Sequence, residues 1–295
     1  MLPEFKLRDS GGKSNNSSQS GNFVELAPLQ WTVKITKGEI KLDRGYQYEF
    51  SGKGTAMFDL AGRQRKAMTM ISVLSDSIDR PLDTLSVLNV GGSAGIIDEY
   101  LSRYFYRVTG IDIDEKAILY AKNNFQKEGL LFEIGDAMDM KYESNSFDVV
   151  VCSQVYEHVP DANTLMSEIF RVLKPGGIVY FAAGNRIMLN EPHYNLPLLS
   201  IIPRPLAHLY LKISGKGDFY YEKHFTYWGL KKLVSKFKVT DYTPLILFDP
   251  EKYKAEYMVM PRTRKHEIAI FISKYMIWLI PGYIWLLEKP GNRVN

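Results

Sequence analysis

A glycine-rich turn separates an apolar run from a helical pattern in the stretch VLNVGGSAGIIDEYL, residues 87–101. Three glycines, Gly91, Gly92 and Gly95, permit a tight turn in which the backbone can approach a ligand closely. In a strand–turn–helix unit, the first amides of the helix point toward such a ligand. The stretch predicts either a nucleotide-type ligand loop or an ordinary strand-to-helix turn, and the residues that follow must decide between them.

Acidic side chains follow the next two apolar runs at positions suited to an adenosine ligand. Asp112 ends the run VTGID, about 20 residues beyond the glycines, where a carboxylate can accept hydrogen bonds from both ribose hydroxyls. Asp114 is expected to cap the following helix. In EIGDAMDM, Asp136 could accept a hydrogen bond from an adenine amino group while Ala137 faces the ring; the alternative for Asp136 is a turn aspartate.

The fourth apolar run, FDVVVC, leads into the polar stretch SQVYEHVPD. Main-chain groups around Cys152 and Ser153 are expected to line the same pocket, with Glu157 and His158 one turn further on. His158 is the candidate to contact a substrate and, for a substrate hydroxyl, the candidate catalytic base. The alternative is a hydrogen-bonded structural histidine.

The elements that must carry these loops alternate between strand and helix. Strands are predicted at 85–90, 107–112, 131–134, 147–152 and 178–183, and helices at 62–79, 95–104, 115–127 and 161–173. Such alternation with short connections predicts an α/β fold, a parallel sheet with helices on both faces. Ligands of open parallel sheets bind beyond the carboxyl ends of the strands, so the loops are expected to share one pocket.

A long segment rich in Pro, Tyr and Leu, residues 184–225, interrupts the alternation. Connections of this length are usually functional or carry structure of their own. We interpret it as an inserted helical lid over a bulky or partly apolar substrate, or as an insertion that only thickens the core. His193, Tyr194 and His224 are its candidate substrate-binding residues, with a structural role as the alternative, and His208 in a helical pattern is expected to be structural.

Composition bounds the class of protein. The chain has 295 residues, 45% apolar and 24% charged, which is ordinary for a globular protein that folds without disulfides or metals. A net charge of +4 is too small to indicate a nucleic-acid partner. The one cysteine, Cys152, fits a reducing compartment. The absence of CxxC and HExxH spacings predicts no metal site.

The N-terminal part of the chain differs from the alternating region. Residues 10–22 are rich in Ser, Gly and Asn and predict a flexible leader. The region after it carries scattered aromatics and glycines and is expected to be an irregular cover. The predicted divisions are 1–60, leader and N-terminal cover; 61–183, cofactor-binding core; 184–225, substrate lid; and 226–295, the rest of the sheet with a hydrophobic helix.

The C-terminal region contains an apolar stretch of spanning length, residues 268–287. Lys274 and the pair Pro281–Gly282 break it, which leaves a predicted helix over 267–280 that is too short to cross a bilayer, followed by a last strand. Whether that helix covers the active site or lies on a membrane surface stays open. Without a secretory signature, the sequence predicts a cytoplasmic protein, with membrane association through this helix as the open alternative.

Taken together, VLNVGGSAG, VTGIDIDEKAILYAKNN, GDAMDM, FDVVVCSQVYEHVPD and IFRVLKPGGIVYFAA resemble class I S-adenosylmethionine-dependent methyltransferases, in the group similar to ubiquinone/menaquinone biosynthesis methyltransferases. The resemblance covers about residues 85–185 and implies a Rossmann-like, doubly wound, mostly parallel seven-stranded sheet. It also implies S-adenosyl-L-methionine as cofactor. By resemblance, the cofactor-binding residues are Gly91, Ser93 and Gly95 for the methionine part, Asp112 with Ile113 for the ribose, Asp136 with Ala137 for adenine, and Ser153 near the methionine end.

Two positions depart from the family pattern. Asn89 stands where Asp or Glu is usual, and Ser93 where glycine is usual, which puts cofactor affinity in question more than cofactor identity. The expected function is methyl transfer to a small-molecule, glycan or lipid-linked acceptor, with O-methylation favoured. The alternatives are a nicotinamide-dependent oxidoreductase and a non-catalytic cofactor-binding module. The sequence does not predict the oligomeric state.

Overall fold

The structure, a computed structural model, describes residues 23–26, 31–36, 39–43 and 55–291, with side chains from residue 57 onward. The chain divides into two compact units, Met1–Gly45 and Tyr46–Asn295. The predicted leader at 10–22 lies outside the described residues.

The smaller unit contains an antiparallel sheet of three strands in the order β1–β2–β3. The strands are β1 (Phe23–Leu26), β2 (Trp31–Thr36) and β3 (Glu39–Asp43). This differs from the irregular structure expected of the region. The segment WTVKIT alternates polar and apolar residues and is rich in β-branched side chains, which favour a strand over a loop.

The larger unit alternates strands with helices, as the sequence predicts. Its strands are β4 (Ser86–Val90), β5 (Arg107–Asp112), β6 (Leu130–Ile134), β7 (Phe147–Ser153), β8 (Leu173–Gly184), β9 (Asn190–Glu191), β10 (Leu196–Pro197), β11 (Lys238–Asp241) and β12 (Gly282–Glu288). Its helices are α1 (Leu60–Ser77), α2 (Ile96–Leu101), α3 (Glu115–Asn124), α4 (Ala162–Val172), α5 (Arg204–Ile213), α6 (Tyr227–Leu233), α7 (Thr243–Phe248) and α8 (Arg264–Tyr275).

The central sheet has seven strands in the order β11–β12–β8–β7–β4–β5–β6. The strands from β8 to β6 pair in parallel, and β12 pairs antiparallel with both β8 and β11. Alternate residues of β7 enter different cores: Val150 packs with α4 and α6, whereas Val151 packs with α1 and α2. Helices therefore cover both faces of the sheet, which confirms the predicted doubly wound, mostly parallel fold.

The order of the strands locates the place where a ligand is expected to bind. The chain runs from β4 through β5 to β6 on one side and from β7 to β8 on the other, so its direction reverses between β4 and β7. In open α/β sheets, the crevice outside the carboxyl ends of the strands at such a point is the usual ligand site.

The segment from 185 to 225 has structure of its own. β9 and β10 form a short antiparallel pair, and Ala207 and Leu211 of α5 pack with Leu196 of β10. This segment has a separate apolar core, whose members are Leu196, Leu199, Ala207, Leu211 and Tyr220. His208 accepts a hydrogen bond from the amide of Tyr220 at 2.9 Å, in agreement with the structural role expected for it.

The C-terminal part completes the sheet. Thr226 caps α6, as predicted, and β12 inserts between β8 and β11. Immediately after β12, the ammonium group of Lys289 donates to Asn145 Oδ1 and to the carbonyls of Phe170 and Leu173, each at 2.7 Å. The segment after β12 is thereby fixed against the end of α4, the start of β8 and the turn that precedes β7. Across the part of the chain that the structure describes, no helix combines the length and the apolar character needed to cross a membrane.

Candidate functional site

The glycine turn lies between β4 and α2 and is held closely against neighbouring elements. Gly91 and Gly95 both have left-handed backbone conformations, with φ of +72° and +76°. A Cβ atom on Gly91 would lie 2.6 Å from Val155 Cγ2. The turn therefore touches the loop that follows β7 and requires glycine at Gly91 and Gly95.

Ser93 is the least expected member of the turn. It occupies a left-handed conformation with φ of +55°, which explains why glycine is usual at this position. Its hydroxyl is buried and has no hydrogen-bond partner within the described residues. An unpaired hydroxyl buried at a glycine turn is suited to a polar group of a bound ligand.

Asp112 lies against the same turn. Its Oδ2 accepts a hydrogen bond from the amide of Ser93 at 2.8 Å, and its Oδ1 accepts from the amide of Asp114 at 2.9 Å. Burial raises the pKa of the Asp112 carboxyl, and these two hydrogen bonds oppose that effect. Asp114 caps α3 through the amides of Lys116 and Ala117, as predicted.

Asp136 follows β6, the strand next to β5. Its Oδ1 accepts from the amide of Met138 at 2.7 Å, so it forms the turn that was its alternative interpretation. The amide of Gly135 donates to the carbonyl of Asp112 at 3.0 Å, which joins this turn to the end of β5. Ile113 and Ala137 are both partly buried. The predicted ribose and adenine residues therefore lie at adjoining strand ends.

A buried acid lies beneath the glycine turn. Asp98 in α2 is fully buried, and its carboxylate oxygens lie 2.9 Å and 2.8 Å from the positions that Cβ atoms on Gly92 and Gly110 would occupy. Burial raises the pKa of Asp98 to about 7, and the side chain of Asn89 lowers it. The chain thus has an amide side chain, Asn89, on β4, and the carboxyl group that interacts with it, Asp98, lies on α2.

We expect Asp98→Asn to remove a pH dependence of stability. Between about pH 4 and pH 7 the folded protein keeps a proton on Asp98 that the unfolded chain releases, so the free energy of unfolding falls as pH rises, by up to about 1.4 kcal/mol per unit. Asparagine resembles the protonated acid and does not titrate. Urea unfolding of both proteins at pH 5 and pH 8 measures the difference.

The exposed Asp83→Asn is the matched control, and it should leave the wild-type pH dependence unchanged. Parallel stability curves for the wild type and Asp98→Asn would show that Asp98 titrates normally in the folded protein.

Beyond Ser153, at the end of β7, the chain turns toward the end of β8. The hydroxyl of Tyr156 donates to the carbonyl of Gly184 at 2.5 Å and accepts from the amide of Phe225 at 3.1 Å. A Cβ atom on Gly184 would lie 3.2 Å from the His224 ring. These contacts bring the loop after β7 together with both ends of the predicted lid.

Six acidic and histidine side chains meet there. This Glu–His cluster consists of Glu157, His158, Glu191, His193, Glu222 and His224. His193 Nδ1 lies 2.6 Å from Glu191 Oε1, and His224 Nε2 lies 3.6 Å from the same oxygen. His158 Nδ1 lies 3.9 Å from Glu222 Oε1, and the His158 and His193 rings are 4.8 Å apart.

The cluster is mostly enclosed. The side chains of Glu157, Glu191, Glu222 and His224 are almost completely buried, whereas those of His158 and His193 are 20% and 21% exposed. Neither carboxylate oxygen of Glu157 has a hydrogen-bond partner among the described residues. The two partly exposed histidines mark the side of the cluster that a substrate can reach.

The protonation of the cluster follows from its contacts. Burial raises the pKa of Glu157 to about 7. Burial acts on Glu191 in the same direction, but the hydrogen bond to His193 and the close approach of the His224 ring prevail and hold its pKa at about 2. Burial, together with the neighbouring His193 and His224, lowers the pKa of His158 to about 3. Glu191 is therefore ionised and His158 neutral at neutral pH.

The sequence predicts four of the lid and loop residues here but not their grouping. His158, His193 and His224 lie together, and the amide of Tyr194 donates to Glu191 Oε2 at 3.0 Å. Glu191 and Glu222 are missed. Each occupies a Glu-x-His pattern, in EPH and EKH, and this repeated spacing is the signal that could have identified them.

Comparison with known proteins matches the region that contains the glycine turn and the strand ends. Residues 88–181 match the family model described as a methyltransferase domain. Ubiquinone biosynthesis O-methyltransferase of Coxiella burnetii (strain Dugway 5J108-111) is 27% identical over 52% of this chain and 67% of that relative. The protein of the same description from Thiobacillus denitrificans is 34% identical over 48% of this chain and 59% of that relative. The matches span about half of this chain.

Two solved structures share the fold. The methyltransferase in the complex with the Haloferax volcanii Trm112 methyltransferase activator is 16% identical, covers 83% of this chain and 99% of its own, and has a TM-score of 0.51. The plantazolicin methyltransferase, solved with a monoazolic desmethyl analogue and S-adenosylhomocysteine, is 18% identical, covers 81% and 87%, and has a TM-score of 0.51.

Proposed function

We propose that the chain, whose residues 88–181 match a methyltransferase domain, is a class I S-adenosylmethionine-dependent methyltransferase that uses S-adenosyl-L-methionine as its cofactor and methylates a hydroxyl oxygen of a small-molecule, glycan or lipid-linked acceptor. The observation that carries this proposal is the position of the Glu–His cluster at the same edge of the sheet as the glycine turn. Val155 contacts Gly91, and Glu157 and His158 follow two and three residues after it. Groups able to accept a proton thus lie beside the turn expected to hold the methionine part of the cofactor.

The cofactor is proposed to lie across the ends of β4, β5 and β6. Its methionine part would contact the glycine turn, with the hydroxyl of Ser93 available to it. Asp112, with Ile113, would hold the ribose, since a carboxylate oxygen that accepts one amide can accept a further hydroxyl. Asp136, with Ala137, would hold adenine. Ser153, at the end of β7, would lie near the sulfonium.

The acceptor is proposed to lie between the cofactor and the Glu–His cluster. Alignment of the acceptor oxygen with the carbon–sulfur bond can supply about 7–11 kcal/mol of the rate acceleration. His158, whose low pKa makes it a weak proton acceptor, is assigned to contact the acceptor. The unpaired carboxylate of Glu157 is assigned to take the hydroxyl proton. His193, Tyr194 and His224 remain the proposed substrate-binding residues of the lid.

The outer surface of the lid supports an apolar portion on the acceptor. Exposed apolar side chains on and near α5 include Leu206, Leu209, Ile213 and Phe219. A lipid-linked or otherwise apolar acceptor could extend along them. We therefore place glycan and lipid-linked intermediates first among the acceptor classes.

Methyl transfer can be tested without knowing the acceptor. S-adenosylhomocysteine and NAD are titrated separately into the protein, and S-adenosylmethionine carrying a ¹³C-methyl group is then incubated with the protein and a cell extract. We expect binding of S-adenosylhomocysteine and a new NMR signal at a shift typical of a methyl group on oxygen. Tight binding of NAD alone would indicate an oxidoreductase, and binding without a labelled product would indicate a non-catalytic module. A signal typical of N- or C-methyl groups would overturn the choice of oxygen.

A further inference from the structure

We propose that Glu191, His193 and His224 bind a divalent transition-metal ion, Zn²⁺, and that its open coordination position takes the hydroxyl oxygen of the acceptor. The second part rests on the proposed function, whereas the first part stands on geometry alone. No motif of the sequence predicts the site, because its ligands come from two segments separated by α5.

The ligand atoms are close enough to share one ion. Each of the three residues offers one atom, and these atoms all lie within 4.8 Å of one another. Ligands of tetrahedral zinc bind at about 2.0–2.2 Å and are therefore roughly 3.4 Å apart, so the most widely separated pair must approach by up to roughly 1.4 Å. His224 Nε2 and Glu191 Oε1 are 3.6 Å apart, longer than a hydrogen bond and suited to a shared ion. His193 Nδ1 and Glu191 Oε1, at 2.6 Å, need to separate by less than roughly 1 Å.

The donor set restricts the metal to a transition-metal ion. Two imidazoles and one carboxylate are typical of catalytic zinc sites, which leave the fourth position to water or substrate. Imidazole ligands favour zinc and neighbouring transition metals, whereas magnesium and calcium prefer carboxylates, carbonyls and water.

The surroundings of the three ligands also indicate a cation. Glu157 is 1% exposed, and both of its carboxylate oxygens lack a hydrogen-bond partner among the described residues. It precedes His158, whose ring lies 4.8 Å from the ring of His193. A carboxylate is costly to bury unless a positive charge compensates it. A dication at the adjacent ligands supplies that charge.

The position of the site suits the ion to bind the acceptor hydroxyl. The three ligands meet beyond the end of β8, next to the loop after β7 that contacts the glycine turn. A hydroxyl bound to Zn²⁺ loses its proton more readily, and we assign that proton to Glu157. A lone pair of the oxygen then forms the bond to the methyl carbon. The carbon–sulfur bond breaks with its electron pair going to sulfur, which leaves S-adenosylhomocysteine and the methyl ether.

Metal binding is tested on the full-length protein, produced without a polyhistidine tag and stripped with a chelator. Zn²⁺ is titrated calorimetrically in the absence of cofactor and acceptor, and Co²⁺ is added separately as a spectroscopic probe of coordination. We expect one equivalent of Zn²⁺ to bind, and Co²⁺ to show the absorption of a low-coordinate site with nitrogen and oxygen ligands. His193→Ala and His224→Ala should each weaken Zn²⁺ binding by more than the roughly tenfold to hundredfold that the loss of an outer-shell partner costs, because each removes a direct ligand.

His208→Ala is the matched control, because His208 lies in the same segment and outside the cluster. It should bind Zn²⁺ as the wild type does. Glu191→Gln, which keeps the size of the side chain, replaces any variant whose circular dichroism shows that it has not folded. Absence of one-to-one binding in the wild type, or unchanged binding in His193→Ala and His224→Ala, would overturn the metal site.

Titration with S-adenosylhomocysteine separates this proposal from the methyltransferase function. The metal-free protein should bind S-adenosylhomocysteine normally and lose methyl transfer to the extract, and added Zn²⁺ should restore the transfer. Full methyl transfer by the metal-free protein would overturn the role of the ion in holding the acceptor. If the wild-type protein does not bind S-adenosylhomocysteine, that result would instead count against the proposed function.

Discussion

Asp112→Ala is expected to weaken S-adenosylhomocysteine binding at least tenfold. A hydrogen bond to a charged group contributes about 1.5–3 kcal/mol, and about 1.4 kcal/mol corresponds to a tenfold change. The carboxylate also accepts the amide of Ser93, so its removal loosens the turn expected to hold the methionine part. Calorimetric titration of the purified variant measures the change.

Asp114→Ala is the matched control for Asp112. Asp114 is two residues away and caps α3, so its loss should lower the melting temperature with little change in S-adenosylhomocysteine affinity. Wild-type affinity in Asp112→Ala would remove Asp112 from the ribose site. Equal losses of affinity in the two variants would assign the effect to the loop as a whole.

Gly95→Ala is expected to destabilise the protein by about 2–5 kcal/mol. Its left-handed backbone costs a residue with a Cβ atom about 1–2 kcal/mol. The added atom would lie 2.6 Å from Ala121 Cβ and 2.7 Å from Phe132 Cε1, so α3 and β6 would have to move. Such overpacking typically adds about 1–3 kcal/mol. Urea denaturation followed by circular dichroism measures the loss.

Gly215→Ala separates the two contributions to this loss. Gly215 has φ of +69°, but nothing lies within 4 Å of the position of its Cβ atom. Its substitution should therefore show the backbone contribution alone, about 1–2 kcal/mol. If Gly95→Ala and Gly215→Ala lose the same stability, the packing of the glycine turn against α3 and β6 is looser than the structure indicates.

The sheet was predictable because its central strands are buried on both faces. FDVVVC and GIVYFAA are continuous apolar runs, which parallel strands require and amphipathic helices do not. Boundaries were less accurate at α2, predicted over 95–104 and found at Ile96–Leu101. The strands β1 to β3 were missed because glycines and scattered aromatics concealed the alternation in WTVKIT.

The grouping of the loops that follow the parallel strands was also predictable, because parallel strands end at the same edge of the sheet. The hydrogen bond from the Ser93 amide to Asp112 joins two of these loops. The Glu–His cluster was not predictable, because the path of the lid brings Glu191 and Glu222 together across α5. The pairing of Asn89 on β4 with the buried Asp98 on α2 was hidden too, since it depends on which side chains share the space beneath Gly92.

The insertion of β12 between β8 and β11 affects the order in which the sheet can be assembled. During synthesis, β8 and β11 leave the ribosome long before Gly282–Glu288, and each presents an unpaired edge until that last strand arrives. Until then, the unpaired edges of β8 and β11 must not form hydrogen bonds with each other or with another molecule. Once β12 has paired with β8 and β11, the hydrogen bonds of Lys289 to three acceptors hold the end of this strand in place. A shortened form that lacks β12 would keep the edges of β8 and β11 unpaired, and these edges would favour aggregation.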